Sequence, residues 1–184
     1  MRPLMDLYTR VDIRLTRWMA RHGIGLLRVS LGLVFLWFGA LKFFPGLSPA
    51  EGLAARTIVQ LSLGLIPAPT AVLLLAALET AIGLGLVTGL ALRFTLLFLA
   101  FQMLGTVTPL FLFPAETFAA FPYAPTLEGQ YIIKNLVLVS AGIVLGATVR
   151  GGRLVADPAP AEAAPAQSAS RSQSTTLRQM ENHA

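Results

Sequence analysis

The sequence predicts an all-α, polytopic membrane protein: an antiparallel bundle of four transmembrane helices, with an N-terminal interfacial helix and a short outer amphipathic helix. Three observations predict it. Of 184 residues, 55% are hydrophobic and only 12% charged, against about a quarter charged in an ordinary soluble domain. The apolar residues concentrate in four blocks, residues 24–44, 70–90, 93–113 and 130–149, each near the ~20 residues that a hydrocarbon core of ~30 Å demands. Charge is sorted by side. Arg2, Arg10, Arg14, Arg17 and Arg21 precede the first block, Arg93 sits in the tight second connection, and Arg150 and Arg153 follow the last. The outer connections carry Glu51, Glu116 and Glu128 against Arg56 alone. By the positive-inside rule both termini are expected in the cytoplasm.

The same composition excludes several chemistries. With no cysteine, thiol–disulfide catalysis, thiolate-ligated haem, iron–sulfur clusters and structural zinc are ruled out. His22 and His183 both lie outside the blocks, so a bis-histidine haem within the bilayer fails too. The expectation is no metal and no covalently bound cofactor; redox chemistry would need a diffusible quinone or a partner subunit. The net charge of +5 sits beside the spans, which makes the lipid bilayer, and no nucleic acid, the expected partner.

In chain order, residues 1–23 read as a cytoplasmic interfacial helix: Leu4, Leu7, Tyr8, Val11, Leu15 and Trp18 recur at spacings of three and four beside a stripe of Arg10, Arg14, Arg17 and Arg21. The first block is too long, and too far from the N-terminus, for a cleavable signal. It opens the transmembrane domain, residues 24–150. The first outer connection has a capping box, Ser48-Pro49-Ala50-Glu51, with proline at the first helical position. Ala54, Ile58, Leu61 and Leu65 then share a face, which predicts a short lid helix over residues 49–63. Residues 151–184 turn to Ala, Pro, Ser and Gln and predict a disordered cytoplasmic tail.

Polar residues inside the blocks carry the functional signal, because an unpaired charge near the bilayer centre costs at least ~3 kcal/mol. On the first span Arg28, Gly32, Phe35, Gly39 and Lys42 fall within an arc of about 80°, which places both charges and both glycines on one inward face. Glu79 is central in the second block, ~14 Å from either end at 1.5 Å per residue and too deep to snorkel. It must be paired or protonated. On the third span Thr95, Gln102, Thr106 and Pro109 share an arc of about 60°, with Gln102 at the level of Glu79. The fourth span brings Lys134 and Asn135 one to two turns below the outer surface, and Glu79 with Lys134 is the expected ion pair. Small-residue stripes, Ala77-Ala81-Gly85-Gly89 and Gly142-Gly146, would let helices approach closely; a homodimer through the Gly85 to Gly89 step is the weaker alternative, because the Glu79 face is turned more than a third of a circle away.

These motifs resemble a known family. The segment Leu27-Arg28-Val29-Ser30-Leu31-Gly32 through Phe38-Gly39-Ala40-Leu41-Lys42-Phe43 is similar to the opening helix of the DoxX superfamily, particularly its YkgB-like branch. Ala77-Leu78-Glu79-Thr80-Ala81-Ile82-Gly83 resembles its second-helix Glu-x-x-x-Gly element, and Gly129-Gln130-Tyr131-Ile132-Ile133-Lys134-Asn135 its last-helix entry. The resemblance covers about residues 24 to 150. It implies a four-helix membrane bundle associated with membrane oxidoreductase systems, quinone-linked sulfur oxidation and oxidative-stress resistance.

Two functions remain open. In one, the chain is a quinone-interacting or accessory subunit of a membrane oxidoreductase: Lys134 or Gln102 hydrogen-bonds a quinone carbonyl, Glu79 exchanges the proton, and Arg28, Lys42, Thr106 and Asn135 complete the polar core. In the other it is a non-catalytic membrane scaffold that recruits or stabilises a partner protein, and the polar residues only glue helices together. A small-solute transporter is disfavoured, since neither inverted repeats nor broken helices are apparent.

Overall fold

The computed structural model describes residues 2–48 and 51–154, with backbone only for residues 2–7 and 9. The expected disordered tail, apart from its first four residues, and Pro49 of the expected capping box lie outside the described residues. Among the described residues two compact units are distinguished: residues 24–152, and residues 2–23 with 153–154.

Among the described residues seven helices and one small hairpin follow in order: α1 (Arg2–Leu41), α2 (Glu51–Leu61), α3 (Ala68–Thr88), α4 (Leu92–Val107), α5 (Pro109–Leu112), α6 (Pro114–Thr117), β1 (Phe118–Ala120), β2 (Ala124–Pro125) and α7 (Leu127–Thr148). Four stretches are long and apolar enough to cross a membrane: Arg10–Leu41, Ala68–Thr88, Leu92–Leu112 and Leu127–Thr148. The protein is an all-α polytopic membrane protein. Within the smaller unit, Tyr8, Val11, Leu15 and Trp18 are all exposed, as are the arginines beside them, and the Trp18 and His22 rings lie 5.2 Å apart. α1 runs without interruption across Gly23, where the sequence predicts a boundary between two helices.

The core of the larger unit draws on all four spans: Leu31 and Phe35 from α1, Ile82 and Leu86 from α3, Leu99 and Met103 from α4, Ala141 and Leu145 from α7. It is small for a chain so apolar. Leu33, Leu73, Leu74, Phe98, Phe101, Leu104, Leu136 and Ile143 point outward, as a helix surface solvated by lipid tails requires. Because lipid gives no hydrophobic drive for association, close backbone approach must hold the bundle. A Cβ on Gly39 would lie 2.7 Å from the Thr80 amide, one on Gly32 2.9 Å from Leu86 Cβ, and one on Gly83 would collide with the Leu36 backbone. These three glycines, rather than a single stripe on α3, join α1 to α3. Ala77 and Ala81 are exposed, while Gly85 faces Thr95 of α4 and Gly89 abuts Arg28.

That junction fixes the depth of α1. Its Gly39 is level with Glu79 and Thr80, eleven residues inside α3, and α1 continues only two residues further, to Leu41, so it ends about 13 Å short of the α3 N-terminus at 1.5 Å per residue. Above it lies α2, whose buried residues are Leu53, Ala55 and Thr57. This corrects the predicted face: Leu61 and Leu65 are exposed and Ala54 and Ile58 half-buried, since Leu53 and Thr57, one turn apart, point inward instead. The third span breaks at Thr108, where Pro109 lacks the amide needed to continue the ladder. Beyond it α6 and the antiparallel β1–β2 hairpin cap the bundle. Thr126 then N-caps α7, its hydroxyl accepting from the Gly129 amide at 3.2 Å.

Candidate functional site

Glu79 is the most deeply placed charge of the bundle, 7% exposed on α3. Its Oε2 accepts a hydrogen bond of 2.7 Å from Lys42 Nζ, and its Oε1 one of 2.8 Å from Gln102 Nε2. Three spans therefore meet at one carboxylate. The Lys42 and Glu79 side chains are 11% and 10% exposed, so the pair is a buried one whose parts depend on each other: neither charge could stay at that depth alone. Gly39 makes the contact geometrically available, because a Cβ there would sit 2.9 Å from Glu79 Cβ. Lys42 itself follows the last residue of α1. Its ammonium also donates to the Phe38 carbonyl at 3.3 Å, one of the carbonyls that a helix C-terminus leaves without an amide partner.

The network is not closed. Gln102 is 7% exposed, its amide oxygen is buried without a hydrogen-bond partner among the described residues, and the same holds for Thr80 Oγ1. Lys42 has three N–H groups, of which Glu79 and Phe38 take two. Spare donor and acceptor capacity thus remains beside a paired charge.

Lys42 also reaches a cleft of about 1140 Å³ that fills the space above the end of α1. Phe43, Leu53, Val72 and Leu73 give it apolar walls, and Glu51, Arg56, Glu116 and Glu128 give it polar ones. Glu79 and Gln102 do not line it; they stand behind Lys42. Arg56 makes a bidentate ion pair with Glu116, Nη1 to Oε1 at 2.9 Å and Nη2 to Oε2 at 2.5 Å, and its guanidinium lies 5.5 Å over the Phe113 ring. Among the described residues no group of three His, Cys, Asp or Glu side chains converges as a metal site.

The other predicted residues separate from this centre. Lys134 is exposed, its ammonium 5.7 Å over the ring of Tyr131, so the expected Glu79–Lys134 pair is replaced by Glu79–Lys42. The reason lies in helix phase. Ile132 is the buried residue at this level of α7, and position 134 is about 200° further round. Asn135 is half-buried. Arg28 faces inward as expected but at the far end of the bundle, fourteen residues from Lys42, where its Nη1 donates to the Leu86 carbonyl at 2.9 Å and caps the last turn of α3. Thr106 spends its hydroxyl on the Gln102 carbonyl one turn back, at 2.9 Å.

Sequence reading missed Arg56 and Glu116 as partners. Sixty residues separate them, and the only available signal was that Arg56 is the lone basic residue among the outer carboxylates. No curated protein and no solved structure matches the chain. The family model described as DoxX matches residues 23–115, just over half of the chain, from the start of the first span through α5 and thus across Lys42, Glu79 and Gln102. The chain belongs to the DoxX family.

Proposed function

We propose that this protein is a quinone-interacting accessory subunit of a membrane oxidoreductase or oxidative-stress resistance system, seated in a bacterial inner membrane with both termini cytoplasmic. One observation carries the reading: a lysine on the wall of a large cleft is ion-paired to a buried carboxylate, and the glutamine behind it has an unused acceptor. The donor set fits a quinone headgroup. The remaining N–H of Lys42 can donate to a carbonyl oxygen, and the apolar walls accept a ring. A quinone, when bound, supplies two-electron, two-proton redox chemistry. Lys42 Nζ would hold, and can give up, the proton at that carbonyl oxygen, Glu79 Oε2 holds the ammonium in place, and Gln102 holds the carboxylate in register through Oε1. Glu79 acts through Lys42, since it does not itself reach the cleft.

The electrons need a carrier in a partner subunit, because the sequence has no ligand set for one. Quinone extracted with the purified protein, or a rise in melting temperature on adding quinone, tests the reading. Lys42→Met should abolish the rise and Lys134→Met should preserve it. Glu79 also ties three helices together, which favours the second reading, a non-catalytic scaffold for a partner protein. That reading holds if neither bound quinone nor a quinone-dependent shift is found.

A further inference from the structure

We infer that the cleft is a charge filter, taking uncharged ring ligands and rejecting anions, with Glu51 and Glu128 as its specificity-determining residues; this deepens the quinone reading and rests on the cleft being a ligand site. What decides it is which wall charges are already paired. Five charged side chains line the cleft: Lys42, Glu51, Arg56, Glu116 and Glu128. Both cations are neutralised by contact ion pairs. Lys42 holds Glu79 at 2.7 Å, and Arg56 holds Glu116 through both of its terminal nitrogens. Among the described residues Glu51 meets no cation, its Oε2 accepting from the Gly46 amide at 3.2 Å, and Glu128 makes neither a hydrogen bond nor an ion pair. The walls and Glu79 together carry four carboxylates against two cations, an excess of two negative charges.

That excess is built into the fold. Glu51 stands in the first turn of α2 and Glu128 in the first turn of α7, where the positive end of the helix dipole favours a negative charge. Their charge is balanced by backbone dipoles, and not by a side chain that a ligand could recruit. An anion entering the cleft meets no uncommitted cation, and the apolar walls beside it, Phe43, Leu53, Val72 and Leu73, strengthen its repulsion from the carboxylates by lowering the local dielectric. A neutral ring meets no such repulsion. The third N–H of Lys42 still serves a carbonyl oxygen, because accepting a hydrogen bond does not require a net charge. A quinone and its quinol are both uncharged and both pass the filter, whereas an inorganic oxyanion does not. Any oxyanion substrate of the system is then bound by the partner subunit and not by this cleft.

The experiment compares two naphthoquinones that differ in charge and little in shape: lawsone, whose acidic hydroxyl is ionised at neutral pH, and lawsone methyl ether, which is neutral. The chain has no cysteine for either to alkylate. Apparent affinities are read from the melting-temperature shift of the purified protein against ligand concentration, and the preference for the ether over lawsone is compared between variants, since partition into micelles weights every variant alike. Glu51→Gln with Glu128→Gln keeps both side-chain oxygens as acceptors and removes two charges. It should cut the preference about four- to twenty-fivefold, roughly two- to fivefold for each charge in a solvent-accessible cleft. Arg56→Gln strips Glu116 of its cation and should raise the preference about two- to fivefold. If the ether shifts the melting temperature but the preference is unchanged in the double variant, or falls in Arg56→Gln, the filter is overturned and the quinone reading stands. No shift from either compound in any of these proteins overturns the quinone reading, and the filter with it.

Discussion

Lys42→Met is the most informative perturbation of this bundle. It removes the donor on Glu79 Oε2 and leaves the carboxylate with Gln102 alone, in a setting where the side chain is 10% exposed. Breaking a buried pair by deleting one partner costs about 3–5 kcal/mol, and the lower end fits here because Gln102 still holds one oxygen. Glu79→Gln should cost less, about 2 kcal/mol, since the neutral amide oxygen can still accept from Lys42. With both changes no charge remains and the methionine fills most of the lysine stem, so the double variant should be close to the Glu79→Gln protein. The coupling is then at least ~2 kcal/mol. Lys134→Met is the control and should cost less than ~0.5 kcal/mol, as expected of an exposed side chain. Equilibrium unfolding in mixed micelles of increasing detergent strength, read by tryptophan fluorescence, gives all four values. Additivity of the two changes within ~0.5 kcal/mol would refute the pair as a coupled unit, and a larger loss from Lys134→Met than from Lys42→Met would restore the partner suggested by the sequence.

Three further outcomes follow from the same geometry. Gly39→Ala should destabilise by about 1–3 kcal/mol, the range for overpacking, because its Cβ would meet the Thr80 amide at 2.7 Å; Gly105→Ala, with open space around it, should be neutral or stabilising by up to ~1 kcal/mol, and thermal unfolding of both variants checks the contrast. Arg28→Met should cost about 1–2 kcal/mol and speed amide exchange at the C-terminal turn of α3, where Arg28 caps the Leu86 carbonyl; uniform exchange along α3 would contradict the capping role. A reporter fused after Arg153 should be active only in the cytoplasm, and periplasmic activity would reverse the proposed orientation.

The spans, the inward phase of Lys42 and the shared level of Glu79 and Gln102 were legible because hydropathy and helical angle are local properties. The partner of Glu79 was not. Angle says which way a side chain points but not how far one helix is slid along another, and here the slide is set by Gly32, Gly39 and Gly83, whose contacts belong to a different chain segment. Lys134 suited the angle argument only while the phase of α7 was unknown; Ile132, and not Lys134, meets the bundle. The hairpin at 118–125 left little trace, being five strand residues around an exposed turn. The Arg56–Glu116 pair is a long-range contact between two short helices, α2 and α6, for which a single sequence carries no periodic signal.

The early end of α1 has an electrical consequence. With its end about 13 Å short of the α3 N-terminus, the cleft replaces part of what would be a low-dielectric barrier, and when it holds water the membrane potential falls mainly across the protein below Lys42. A unit charge crossing the full potential exchanges about 2.3 kcal/mol per 100 mV. In the proposed orientation, a proton passed between the outer solution and the Lys42–Glu79 pair would cross little of that field, while one delivered from the cytoplasmic side would cross most of it. The side from which the pair exchanges its proton is thus readable as a voltage dependence.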